Sequence, residues 1–388
     1  MYIVKLKKNK ESRVLNGYPW IFANEVEKIE GKDVKGAICR VENADGRFVC
    51  SGFINHLSKI LVRVLTYKEE PVDYNFFLKR IKAANDYRLT LNYGRAYRAV
   101  FSESDGLPGL IVDRYEDYLC VQILCLGAET RKDMIIKALI EVFAPKGIYE
   151  RSDVSVREKE GLKKFKGAIY GEFDPVVEIT ENGLKMLVDM AEGQKTGYFL
   201  DQKENRKNVA NYVNGKTVLD CFSNIGGFSL CAAKFGASEV TAVDISETAV
   251  GYVLKNAELN GLTNVKAVKA DVFEKLREYK KDGQKFGVVI LDPPAFTKSA
   301  DTVKDAVKGY KDINILGLKL VEKGGYLITC SCSQHLTVNL FMDMLKRSVI
   351  ESGVKARLVE LRYQSKDHAN LITSDEALYL KAAVIRVE

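Results

Sequence analysis

The 388-residue sequence predicts an α/β protein whose second half is a doubly wound parallel sheet, preceded by a small β-rich module and an α+β middle region. Three observations carry that expectation. From about residue 190 short apolar strands alternate strictly with amphipathic helices, a pattern that buries a parallel sheet on both faces. Four consecutive strands in that stretch end in an aspartate, at positions 220, 244, 271 and 292. Residues 1–68, by contrast, are short strand runs separated by Gly, Asn and Asp turn signals.

Composition fits a folded chain with several cores: 46% hydrophobic, 29% charged and only seven prolines. The start, MYIVKLKKNK, lacks the apolar segment of a signal peptide, and no apolar run approaches the roughly 20 residues that span a bilayer. A soluble cytoplasmic protein with no membrane partner is expected. Most of the eight cysteines lie in strand-like runs (AICRV, RFVCSGF, YLCVQILCL), where they act as small buried hydrophobes. None forms a CxxC pair and the three histidines are far apart, so no metal site is expected. Of the net charge of +7, residues 1–70 carry +4, with 13 Lys/Arg against 9 Asp/Glu, which suits a polyanionic partner near that end.

Taken in order, residues 1–70 hold the strands VKL, KGAICRVE, GRFVCSGFIN and KILVRVLT, forming a small barrel or compact module. Phe76, Phe77, Ile81, Ala84 and Leu89 recur at near-helical spacing, so 71–93 is a connecting helix. Over 95–185 the strands YRAVFSESDG and LPGLIVDRYEDYLCVQIL, the helix ETRKDMIIKALIEVFA, and the strands GIYERS and VVEITENGLKMLVDM make a strand-strand-helix-strand-strand region. A linker helix and middle domain therefore occupy 71–187. Residues 188–388 supply seven strands, the last two joined by a loop, which is the pattern of a Rossmann-like methyltransferase domain.

Ligands of such sheets bind beyond the carboxyl ends of the strands, where strand order reverses. VLDCFSNIGGF puts Asp220 at the end of the first strand, followed by Ser223, Asn224, Gly226 and Gly227 in a turn that opens a helix. Backbone without side chains admits a cofactor, and a helix N-terminus favours its carboxylate. Asp244, followed by Ile245, is placed for ribose hydroxyls; Asp271 for the adenine amino group, with Val272 and Phe273 against the ring; Asp292 ends the fourth strand. The turn is not GxGxxG, and nicotinamide folds need no acids at strands one, three and four, so S-adenosylmethionine is the expected cofactor. The preceding GQKTGYFLDQKENR suggests that Phe199 and Gln202 close over it, with Arg206 or Thr196 assisting.

Two motifs bear on the reaction. DPPAFTKS presents Asp292 and backbone carbonyls to the edge of an amine-bearing base, with Phe296 able to stack on it or to cap the core and Lys298 close by. By itself it does not choose between nitrogen and carbon as methyl acceptor. GGYLITCSCSQHL places Cys330 and Cys332 at i and i+2, on one face where the fifth strand leaves the sheet. Carbon 5 of a pyrimidine takes a methyl only after a thiolate adds at carbon 6, so a cysteine here has a chemical purpose. The helix beginning near Leu336, Lys298 and His335 are candidates to favour that thiolate. The Asp367–His368 pair lines either the cleft or a surface loop.

RVLNGYPWIF, SDGLPGLIVDRY, QKTGYFLDQKENR, LDCFSNIGGFSL, DPPAFTKS and TCSCSQHL together resemble the bacterial ribosomal RNA large subunit methyltransferase I family, in order over nearly the whole chain. The resemblance implies an N-terminal PUA-like RNA-binding domain and formation of 5-methylcytosine in 23S ribosomal RNA. Cys332 falls where the related GG…STCS motif carries its nucleophile, with Cys330 the alternative and Asp292 orienting the cytosine. Related enzymes often have a second cysteine in the fourth motif, where this chain has Ala295-Phe296, so the group that removes the carbon 5 proton is open. Arg13 and Trp20 match the PUA-like segment and are candidate RNA contacts; Trp20 is equally a core residue of that domain. An amino-group RNA methyltransferase and a non-catalytic RNA-binding assembly factor are the rival readings, and a homodimer is compatible with the sequence.

Overall fold

The computed structural model describes residues 2–32, 34–297 and 300–388. The chain forms two compact units: Met1–Ile179 with Val188–Leu200 and Lys366–Ala377, and Thr180–Leu187 with Asp201–Ser365 and Leu378–Glu388.

The first unit opens with six strands, β1 (Tyr2–Leu6), β2 (Trp20–Phe22), β3 (Val26–Glu30), β4 (Ile38–Glu42), β5 (Phe48–Ile54) and β6 (Ile60–Thr66), and a short helix α1 (Glu11–Leu15). They form one sheet in the order β2-β6-β5-β4-β1-β3, with β1 parallel to β4. Alternating apolar residues (Val4, Leu6, Val41, Val62) close its core with Ile21 and Cys50. The sequence reading missed β2 and β3. Both are sheet edges, and β3 (VEKIE) exposes Glu27 and Lys28, so the apolar alternation that marks interior strands is absent there.

The rest of this unit is a second sheet in the order β11-β10-β9-β8-β7, built from β7 (Ala96–Phe101), β8 (Leu110–Tyr115), β9 (Tyr118–Ile123), β10 (Gly147–Ser152) and β11 (Phe165–Tyr170). Helices α2 (Tyr74–Leu89) and α4 (Lys132–Phe143) supply Phe77, Ile81, Ala138 and Leu139 to its core, between the short helices α3 (Leu126–Glu129) and α5 (Val156–Lys159). The expected two strands on each side of the helix become three before and two after. LPGLIVDRYEDYLCVQIL folds back on itself, with Glu116 at φ 57° in the turn, and supplies both β8 and β9. FKGAIY is an edge strand too polar to be read as one. VVEITENGLKMLVDM lies outside this sheet, as the hairpin β12 (Val176–Glu181) and β13 (Leu184–Asp189).

The second unit is built on a seven-stranded sheet: β14 (Thr217–Cys221), β15 (Glu239–Asp244), β16 (Val265–Lys269), β17 (Phe286–Leu291), β18 (Val321–Ser331), β19 (Ala356–Arg362) and β20 (Lys381–Val387). Their order is β16-β15-β14-β17-β18-β20-β19, with β20 antiparallel to both neighbours. The helices are α6 (Lys203–Asn208), α7 (Gly227–Lys234), α8 (Glu247–Leu259), α9 (Val272–Lys281), α10 (Val303–Leu320) and α11 (Val338–Ser352). Strand order reverses between β14 and β17, which makes the crevice there the ligand-binding position of the sheet. A buried bidentate pair, Arg206 to Glu181 at 2.7 and 3.0 Å, ties α6 to the end of β12. Among the described residues no helix is long and apolar enough to cross a membrane.

The two sheets of the first unit share a packed seam. Phe53 of β5 lies in the core of the middle sheet, and a Cβ on Gly127 of α3 would stand 2.1 Å from the Phe53 ring. Gly127→Ala is expected to destabilise the protein by about 2 kcal/mol or more. Thermal melting checks it: loss of the low-temperature stability of this unit is the expected outcome, and an unchanged midpoint would show that the seam yields.

Candidate functional site

Two adjacent parallel strands, β14 and β17, carry Asp220 and Asp292 toward the crevice. Asp220 is fully buried and its Oδ2 accepts a 2.6 Å hydrogen bond from Ser229 Oγ of α7, while Oδ1 has no partner among the described residues. Burial pushes its pKa up to about 7, aided by the charges of Asp292 and Asp244 and opposed by the Ser229 hydroxyl. Ser223 Oγ is also buried without a partner among the described residues. Orphaned polar atoms of this kind are costly, and they cluster where a ligand completes them. A ligand carrying an ammonium, a carboxylate and ribose hydroxyls, as S-adenosylmethionine does, fits the donors and acceptors present.

The turn after β14 holds Phe222, Asn224 and Gly226 at φ 62°, 50° and 91°. Only glycine adopts that region freely, and Asn tolerates it better than other side chains. Asn224 therefore preserves the turn that a glycine forms in many such folds, and its N–H donates to Asp244 Oδ2 at 2.9 Å. The other Asp244 oxygen accepts from Ser246 N at 2.9 Å, so this carboxylate fixes the turn. Gly226 caps α7 and Gly227 begins it. Ile245, next along, is largely exposed.

Asp271 is the N-cap of α9, accepting from Glu274 N at 3.1 Å. Val272 belongs to the core and Phe273 packs against it, with its ring 6.0 Å from Phe296. Phe296 in turn rests 4.6 Å from the Tyr310 ring, partly buried against the core. Lys298 lies outside the described residues.

Gln202 is buried and fully engaged: Nε2 donates to Asp292 Oδ1 at 2.9 Å, Oε1 accepts from Asn205, and the side chain meets the Cys330 thiol. Its place is to hold Asp292. Arg206 pairs its guanidinium with Glu181. Thr196 and Phe199 belong to the first unit, where Thr196 Oγ1 donates to Asp113 at 2.6 Å and Lys195 Nζ sits 4.5 Å over the Phe199 ring.

The cysteine pair divides sharply. Cys330, inside β18, is fully buried, and burial together with Asp292 pushes its thiol well above the usual value. β18 ends at Ser331, so the equivalence of i and i+2 ends there too. Cys332 is part-exposed, with Sγ 3.9 Å from the Pro293 carbonyl of the Asp-Pro-Pro turn. The other seven cysteines are all buried. His335, one of the expected activators, is exposed; among the described residues a charge that interacts with Cys332 is Lys381 of β20, which the sequence reading did not single out. A lysine embedded in the apolar run LYLKAAVIRV was the available signal.

In the first unit, Arg13 pairs with Glu25 at 2.8 Å and lies 4.1 Å over the Tyr18 ring. Trp20 is half-buried and donates Nε1 to Glu103 at 2.9 Å, so it links the first sheet to the turn after β7. Asp367 and His368, open in the sequence reading, form a buried pair at 2.8 Å in this unit, with Asp367 Oδ2 accepting from Arg98 N.

Similar proteins agree with this architecture. A PUA-like domain model matches residues 4–67 and an S-adenosylmethionine-dependent methyltransferase model matches residues 166–382. The chain is 45% identical to ribosomal RNA large subunit methyltransferase I of Aeromonas salmonicida (strain A449), over 99% of this chain and 98% of that protein. The protein of the same name from Klebsiella pneumoniae (strain 342) is 40% identical, over 98% and 97%. The chain belongs to the ribosomal RNA large subunit methyltransferase I family. Its methyl donor is S-adenosylmethionine, as the methyltransferase model states. A Streptococcus mutans protein described as a SAM-dependent methyltransferase has the same fold, with a TM-score of 0.84 at 23% identity and full coverage of both chains.

Two outcomes follow for this enzyme without its cofactor. The neutral form of Asp220 is favoured by folding, so the folded state binds the extra proton between pH 3.8, the ordinary carboxyl value, and about 7. Stability falls as pH rises through that window. Asp220→Asn is expected to be more stable than the parent above about pH 7, by on the order of 2–4 kcal/mol, and equal to it near pH 3. Melting curves across pH check it, and a gap that does not depend on pH would sink the idea. Asn224→Gly is expected to retain cofactor affinity, whereas Asn224→Val adds about 1–2 kcal/mol of backbone strain. Calorimetric titration and melting compare the two.

Proposed function

We propose that the enzyme methylates carbon 5 of a cytosine in large-subunit ribosomal RNA, with Cys332 as nucleophile. The observation that carries this reading is the position of Cys332: part-exposed just past β18, with its sulfur beside the Pro293 carbonyl of the Asp-Pro-Pro turn. An enzyme that methylates an exocyclic amine has no need of a thiol there. The names of the relatives supply ribosomal RNA as the substrate class, and the PUA-like domain with the +4 charge of residues 1–70 supports RNA as the partner.

Asp220, Ser223, Asp244 and the turn through Asn224 and Gly226 would hold S-adenosylmethionine, with Asp271 and Val272 on the adenine side. When bound it supplies an electrophilic methyl on a sulfonium. Base chemistry requires the cytosine to leave its stack. Asp292, kept in place by Gln202, faces the ring nitrogen and amino group. The Cys332 thiolate adds at carbon 6, the electron pair moves to carbon 5, and carbon 5 takes the methyl. Transfer of the carbon 5 proton to a water molecule at the site then re-forms the carbon 5–carbon 6 double bond and expels the thiolate. Cys330, sealed and held as a thiol, packs beneath Asp292 and takes no covalent part.

Ribosomal RNA containing 5-fluorocytosine tests the sequence of events, because fluorine in place of the proton blocks release. A covalent complex is expected with the parent protein and Cys330→Ala, and none with Cys332→Ala, whose methylation rate should fall at least about 1000-fold. Full methylation by the Cys330→Ala/Cys332→Ala protein would overturn the reading and move the reaction to an amino group.

A further inference from the structure

Lys381 is a buried cation with no role in the reaction as described so far. It begins β20 directly opposite Ser331 of β18, is 1% exposed, and is followed by the apolar run AAVI. Its Nζ donates to the carbonyls of Ser333 at 2.7 Å and Tyr379 at 2.8 Å. An ammonium has three N–H donors, and the third meets no acceptor among the described residues. Enclosing a charged amine with one donor unmet is expensive, and apolar residues would fill a mere packing position more cheaply.

We propose that Lys381 is the positioning residue that keeps Cys332 as a thiolate, its fixed ammonium facing the place where the sulfur's negative charge forms. The inference rests on Cys332 being the nucleophile. Ser333, whose carbonyl anchors the ammonium, is the next residue after Cys332, so the two charges are set by one short piece of chain. Burial brings the lysine pKa down to about 8, and the Cys332 charge pulls it back up. At neutral pH it is mostly ammonium, and an ammonium beside a thiol favours the thiolate. Among the described residues, titratable groups facing the pair include Tyr310, whose hydroxyl meets Ser333 Oγ at 2.9 Å, Tyr379, which donates to Asp201, and Cys330 with Asp292. The thiol proton leaves to solvent through the exposed side of Cys332, so no acceptor within the protein is needed.

Iodoacetamide alkylation reads this directly, because Cys332 is the one cysteine of the eight that is not buried. The rate plotted against pH gives the midpoint of thiolate formation in the whole protein, without RNA. Lys381→Met is expected to raise that midpoint by about one pH unit or more, a tenfold loss of thiolate at neutral pH, while Lys381→Arg keeps it near the parent. In methylation assays the Met variant should lose kcat at pH 7 and recover it as pH rises, with cofactor affinity unchanged.

A residue that only anchors two carbonyls would alter the melting temperature and leave the alkylation midpoint alone; that result overturns the proposal. Should Lys381→Met fail to fold, the reciprocal measurement decides. Labelled-lysine NMR should show the Lys381 titration move down in Cys332→Ala, and no movement overturns it. If the midpoint shifts as expected but 5-fluorocytosine RNA is not trapped, the charge pair stands and the carbon-methylation reading falls.

Discussion

A carboxylate buried at the end of β14, with one oxygen left unpaired, is the constraint around which the catalytic half is organised. Three more aspartates follow at neighbouring strand ends, and a parallel sheet offers them little besides each other. The protein relieves the resulting repulsion locally. Ser229 bonds Asp220, backbone N–H groups of Asn224 and Ser246 bond Asp244, the start of α9 bonds Asp271, and Gln202 bonds Asp292. Asp220 keeps one buried oxygen without a partner among the described residues, at the reversal of strand order where a ligand belongs. The cost is a folded state in which burial holds its central acid toward the protonated form.

The two sulfurs two residues apart illustrate how burial sorts chemistry. Inside β18, Cys330 is enclosed and surrounded by carboxylates, which favours the neutral thiol. One residue past the strand's last ladder position the enclosure opens, the carboxylates give way to a carbonyl and a lysine, and the same side chain enters different surroundings. Exposure here is a property of where the strand stops.

The chain's path couples the halves covalently. Residues 366–377 leave the loop between β19 and β20 and belong to the first unit, where Asp367 is enclosed by Arg88 and the Arg98 backbone. The loop that joins the last two strands of the catalytic sheet therefore has a structural task in the other half. The first unit is itself one body by packing: Phe53 enters the middle core, Trp20 bonds Glu103, and Arg63 bridges Glu103 and Glu160.

The sequence by itself determined the alternating half, because apolar periodicity, Gly-bounded turns and acids at strand ends are local signals that survive without coordinates. It also located the turn through Asn224 and the cysteine pair, and the segments that resemble the family. Edge strands β2, β3 and β11 escaped it, since a strand with one unpaired side needs no apolar alternation. The roles of Arg206, Gln202 and Trp20 were decided only by tertiary structure: each is a polar side chain whose partner lies between 25 and 90 residues away. Lys381 is the plainest case. Its charge meets Cys332 only because β20 inserts antiparallel beside β18, a neighbour relation set by sheet topology and invisible along the chain.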